Sequence, residues 1–143
     1  MFSAYTWAFW GIVVLIATLL VQALVAAFSK ASQPGAIPGK IDASLSHASF
    51  VFRSNRTFAN SLENITPMLG CALLAILVGT NAAATAALIW VMALARLVHM
   101  WLYYVIATEK NPSPRSYFYL LAMLANIALL LLCVITLATQ SMA

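Results

Sequence analysis

Four apolar blocks alternate with three polar breaks along the chain, and each block is long enough to cross a bilayer as one helix. The blocks cover about residues 5–28, 56–79, 83–107 and 115–138, against the ~20 residues that a spanning helix needs. The breaks are a Gly-, Pro- and Ser-rich connection over residues 29–53, a short turn at Thr80-Asn81, and the segment 108–114 with its turn-forming Asn-Pro and Ser-Pro pairs. The apolar run that follows Asn64 is short, residues 65–79. A helix spanning the membrane there must begin near Arg56, which draws Glu63 and Asn64 below the membrane surface.

Polar residues inside the blocks fall at helical spacing. Arg56, Asn60 and Glu63 stand at i, i+4, i+7, and Arg96, His99 and Tyr103 at i, i+3, i+7. Arg115, Tyr119 and Asn126 lie within about 40° of one another at 100° per residue. Three helices thus each present a polar stripe to the same half of the membrane. Glu63 and Arg96 lie at matched depths of about 13–16 Å at 1.5 Å per residue. Opposite charges at one depth lead to the expectation of a buried ion pair bracing the second and third helices, because a lone charge in a bilayer is costly. Pro67 has no N–H to offer the carbonyl of Glu63, which predicts a bend beside the stripe.

Composition fits the pattern. Of the 143 residues 64% are hydrophobic and 7% charged, with a mean hydropathy of +0.98, whereas soluble domains carry about 25% charged residues. The chain reads as one all-α integral membrane domain over residues 1–143, a four-transmembrane-helix bundle with Tyr5, Trp7 and Trp10 as interfacial anchors. The first block has no basic residues before it and no small-x-small cleavage site, so it reads as a span and not a signal peptide. Cys71 and Cys133 lie within spans as packing residues, no metal-ligand spacing is evident, and His47 reads as a connection residue without a role. A net charge of +4 spread over loops and helix mouths is no sign of nucleic-acid binding. Lys and Arg gather in the first and third breaks. The positive-inside rule therefore predicts an inner or cell membrane protein with both basic connections, and the site, in the cytoplasm and both termini on the far side.

A cavity holding three arginines and one glutamate favours an anionic, hydrogen-bonding guest, with lipid-facing walls for an apolar one. The motif R-T-F-A-N-S-L-E-N-I-T-P-M-L resembles the helix-two signature of the MAPEG family, the membrane-associated proteins in eicosanoid and glutathione metabolism. Arg56, Asn60, Glu63, Asn64, Pro67 and Leu69 meet that pattern, with Met68 in place of Phe. Arg96, His99 and Tyr103 in A-R-L-V-H-M-W-L-Y, and Arg115, Ser116 and Tyr119, are similar to two further motifs of the family. Departures are Ala59, where some members carry a further arginine, and a longer connection before Arg115. No basic residue of the first helix can be matched beyond Lys30.

The resemblance implies a homotrimer with glutathione bound between neighbouring subunits as co-substrate. Arg56, Asn60, Glu63, Arg96, His99, Tyr103 and Tyr119 become candidate glutathione-binding residues. Arg115, with Ser116 as its rival, becomes the candidate for stabilising the thiolate. The expected activity is that of a glutathione-dependent transferase or peroxidase acting on lipophilic electrophiles or hydroperoxides that arrive from the lipid bilayer. The alternative is a non-enzymatic membrane scaffold that binds lipid or thiol, since the family also includes a member that presents fatty acid to a partner.

Overall fold

Each apolar block becomes one uninterrupted helix, and the breaks become the connections. The computed structural model describes residues 2–142. A single 3-10 turn, Phe2–Tyr5, leads into α1 (Thr6–Ala31), followed by α2 (Phe50–Val78), α3 (Ala82–Val105) and α4 (Pro114–Ser141). Among the described residues these four helices are long and apolar enough to cross a membrane. The shortest has 24 residues and reaches about 36 Å at 1.5 Å per residue, more than the ~30 Å hydrocarbon core. The chain is an all-helical membrane protein.

Local chemistry sets the ends. Gly79 closes α2 in the left-handed region at φ 77°, and the Thr80 N–H reaches back to the Ala75 carbonyl at 3.1 Å, a glycine-terminated cap. Asn81 opens α3 by accepting from the Ala84 N–H at 3.0 Å. Pro114 stands in the first turn of α4, where its missing N–H costs nothing. α2 begins at Phe50, six residues before the expected start, and continues through Pro67. Its extra turns are held by packing at the mouth of the bundle. Val51 is buried, and the Ser54 hydroxyl lies 2.7 Å from that of Ser29 on α1. A helix stops where its contacts stop, not at the membrane surface.

The bundle is an up-and-down array in which α1 and α4 each pack against α2 and α3. Small residues make the close approaches, as expected where lipid gives helices no hydrophobic reason to associate. Ala8, Ala72, Ala75 and Ala122 are fully buried beside Ile89, Met92, Leu129 and Cys133. At Gly11 a Cβ would meet the Ile89 Cγ2 at 2.6 Å, so α1 and α3 touch there only because the side chain is missing. The end opposite the long connections is tied by polar contacts. Tyr5, expected at the membrane interface, is buried and its hydroxyl donates to the Thr80 carbonyl, while Trp7 and Trp10 remain exposed. The Trp90 indole donates to the Trp7 carbonyl at 3.0 Å.

Candidate functional site

The end of the bundle that carries both long connections holds a cluster built from α3 and α4. Arg115, in the first turn of α4, is 5% exposed and rests its guanidinium 4.0 Å from the centroid of the Tyr103 ring. Its Nε donates to the Ser113 hydroxyl at 3.2 Å and its Nη2 to the Thr108 carbonyl at 2.8 Å, leaving Nη1 without a protein partner. The ring of His99 lies 5.1 Å from that of Tyr103, and its Nδ1 is likewise unpartnered. Deeper on α3, Arg96 is 3% exposed, with Tyr103 and Tyr119 as electrostatic neighbours. Arg96, His99, Tyr103, Arg115 and Tyr119 are therefore brought together within one chain. Ser116 has a structural occupation: its Oγ accepts from the Ser113 N–H at 3.3 Å and helps open α4.

The expected Glu63–Arg96 pair does not form. Arg96 donates through Nη2 to the Ser61 hydroxyl at 2.6 Å, and Glu63 is exposed on the outside of the bundle. Arg96 meets α2 two residues from Glu63, on the other side of the helix. Residues 61 and 63 point about 200° apart on a helix. α2 has two polar faces. Ser54, Thr57, Ser61 and Asn64 turn inward and are buried, whereas Arg56 and Glu63 turn outward with Asn60 half-buried between the two faces. The short Ser61 side chain meets the Arg96 guanidinium in a direct hydrogen bond.

The MAPEG family model matches residues 7–135, which is most of the chain and takes in every motif described above. The chain belongs to the MAPEG family. Among curated proteins and among solved structures, no significant match is found. Membership makes this a membrane protein of glutathione and eicosanoid metabolism at the level of the family. The MAPEG motif residues separate into two groups in space. Those of α3 and α4 gather inside the chain, and the charged stripe of α2 faces away from it.

Four contributions were not read from the sequence. Gln22 on α1 is fully buried with neither amide atom partnered, and it is the sole amide in that helix, which is the signal that could have found it. Ser61 serves Arg96. Beside them lies a cavity of about 10 Å³ lined by Thr18, Ser61, Met68 and Arg96 among others, near the size that one water occupies. Arg53 donates through Nη1 to the carbonyls of His47 and Ala48 at 2.7 and 2.9 Å and through Nη2 to that of Tyr104 at 3.3 Å, tying the first connection to the end of α3. His47, read as idle, has its ring 6.2 Å from that of Tyr103 and its Nδ1 3.7 Å from the Glu109 carboxylate. A loop histidine 56 residues from Tyr103 in sequence carries no periodic signal.

Proposed function

We propose that this protein is a glutathione-dependent membrane transferase or peroxidase that activates the thiol as thiolate for attack on lipophilic electrophiles or hydroperoxides. The observation that carries the reading is the guanidinium of Arg115, fixed on three sides with one amino group uncommitted. A thiol with an ordinary pKa of about 8.5 is mostly protonated at neutral pH, and only the thiolate is a good nucleophile. A guanidinium beside the sulfur favours the charged form, and each unit of depression corresponds to about 1.4 kcal/mol. Arg115 stays charged, presents a rigid fork, and stands at a helix N-terminus whose amides add partial positive charge. Because its neighbours already hold it, little reorganisation remains for the moment of reaction.

The outward stripe of α2 supports a site shared between copies of the chain. Arg56 and Glu63 at membrane depth are costly against lipid, and a neighbouring copy gives them a partner. In this reading the protein is a homotrimer. Arg56, Asn60 and Glu63 of one copy meet the polar groups of the glutathione held by Arg96, His99, Tyr103, Arg115 and Tyr119 of the next. The connections face the cytoplasm, and the apolar substrate enters from the bilayer. Proximity then supplies much of the rate.

The test is thiolate absorbance near the ultraviolet edge when glutathione is added to purified protein. Arg115→Ala should abolish the signal, Arg115→Lys should leave an intermediate one because it restores the charge without the fork, and Ser116→Ala should retain it. A thiolate yield unchanged in Arg115→Ala and lost in Ser116→Ala would transfer the role to the hydroxyl. No signal in the unaltered protein would favour a non-enzymatic binding protein.

A further inference from the structure

Arginine can stabilise a thiolate but cannot take its proton, since it is already fully protonated. The proton needs an acceptor near the sulfur. The chain has two histidines, and histidine is the side chain suited to this task near neutral pH. His99 is buried one turn from Arg96 on the same helix face. His47 is placed differently, because its neighbour is a carboxylate.

The position of His47 is built, not incidental. Arg53 grips its backbone carbonyl and the next one, which fixes the end of the first connection above α3. Phe52 meets the imidazole edge-on at 4.9 Å between ring centroids. The second connection supplies Glu109, whose carboxylate is 3.7 Å from Nδ1, the one ion-pairing contact among the described residues. Tyr103 links the histidine to the candidate site, since its ring neighbours both His47 at 6.2 Å and the Arg115 guanidinium at 4.0 Å. The charged and titratable groups around His47 are thus Glu109 from the second connection, Tyr103 from α3, Arg53 from α2 and, across Tyr103, Arg115 from α4.

We propose that His47 accepts the thiol proton, with Glu109 as the positioning residue whose charge stands beside the imidazolium once it forms; this rests on the thiol-activating function proposed above. The carboxylate stands on the Nδ1 side of the ring, 3.7 Å away, so the proton is accepted at Nε2, the nitrogen away from it. The S–H bond breaks, both electrons stay on sulfur, and the proton passes by way of a water to Nε2. Two neutral groups become two ions, and each finds an opposite charge already in place. The thiolate pairs with Arg115 and the imidazolium with Glu109. The proton then leaves His47 to water through the exposed side of the connection, which returns the imidazole to its starting form.

The experiment is stopped-flow mixing of the purified full-length protein with glutathione, following thiolate absorbance together with a pH indicator. His47→Gln should slow thiolate appearance and proton release together by about 100-fold, the low end of what a general base contributes. The imidazole limb of the pH–rate profile should be lost while the final thiolate amplitude at alkaline pH is retained. Free imidazole should restore the rate of His47→Ala in proportion to its concentration. Glu109→Gln should give a smaller loss and a displaced profile. Arg53 holds the backbone carbonyl and not the ring, so these variants keep the anchor of the connection. Unchanged rate and pH profile in both His47 variants, or a slow His47→Ala that imidazole does not rescue, would overturn the assignment while leaving the thiol-activating function standing. A wild-type protein that yields no thiolate at any pH would instead remove the function on which the assignment rests.

Discussion

Replacing Ser61 by alanine should destabilise the bundle more than any single change to the charged stripe of α2. The Ser61 hydroxyl accepts from the Arg96 Nη2 at 2.6 Å, Arg96 is 3% exposed, and its Nη1 has no protein partner. A hydrogen bond to a charged group contributes about 1.5–3 kcal/mol, and its loss leaves the guanidinium buried. The small cavity beside Arg96 gains the volume of the lost hydroxyl, so a water can recover part of the interaction. A net loss of about 2 kcal/mol is expected. For a chain of this size that corresponds to a fall in Tm of roughly 4–8 °C. Thermal unfolding in mild detergent without glutathione, followed by tryptophan fluorescence, measures it. Ser61→Asp places a carboxylate beside Arg96 and should restore the wild-type Tm or exceed it. Glu63→Gln keeps the side-chain length and lies away from Arg96, so it should lower Tm by less than Ser61→Ala does. A large fall in Glu63→Gln with none in Ser61→Ala would refute the inward face assigned to Ser61.

Two further outcomes follow from the packing and the connections. Gly11→Ala should cost about 1–3 kcal/mol by overpacking against the stiff, fully buried Ile89. Ile89→Ala added to it should return part of that loss, a non-additivity that a double-mutant cycle reads directly. Arg53→Gln should release the first connection from the Tyr104 carbonyl, seen as faster proteolysis and amide exchange over residues 40–49 with little change in Tm. Equal protection in the two proteins would show that the connection is held by something else.

The spans were legible because a bilayer sets one length and one polarity for every helix that crosses it. The α3 cluster was legible too, since Arg96, His99 and Tyr103 are long side chains that converge when they share a face. The orientation of α2 was not. Periodicity says which residues lie on one face and is silent on which face meets the bundle, and α2 has a polar stripe on each side. Charge suggested that Glu63 would turn inward to Arg96. Packing decided otherwise, because Ser54, Thr57 and Ser61 are small enough for α1 and α3 to approach. The roles of His47 and Arg53 depend on contacts between a loop and a helix far along the chain, which no local pattern encodes. Gln22 is the sole amide of an apolar helix, a signal that the sequence does carry.

The central claim is that Arg115 of one copy and the α2 stripe of a neighbour complete a single thiolate site. Two inactive variants, Arg115→Ala and the double substitution Arg56→Ala with Glu63→Gln, test it when they are unfolded, mixed in equal amounts and reassembled. Each alone should give no thiolate signal with glutathione. Random reassembly of a symmetric ring pairs an intact Arg115 with an intact neighbouring stripe at about a quarter of the interfaces. The mixture should therefore recover about a quarter of the signal of wild-type protein treated in the same way. A mixture that stays silent while wild-type reassembled alongside it forms thiolate would contradict the shared site.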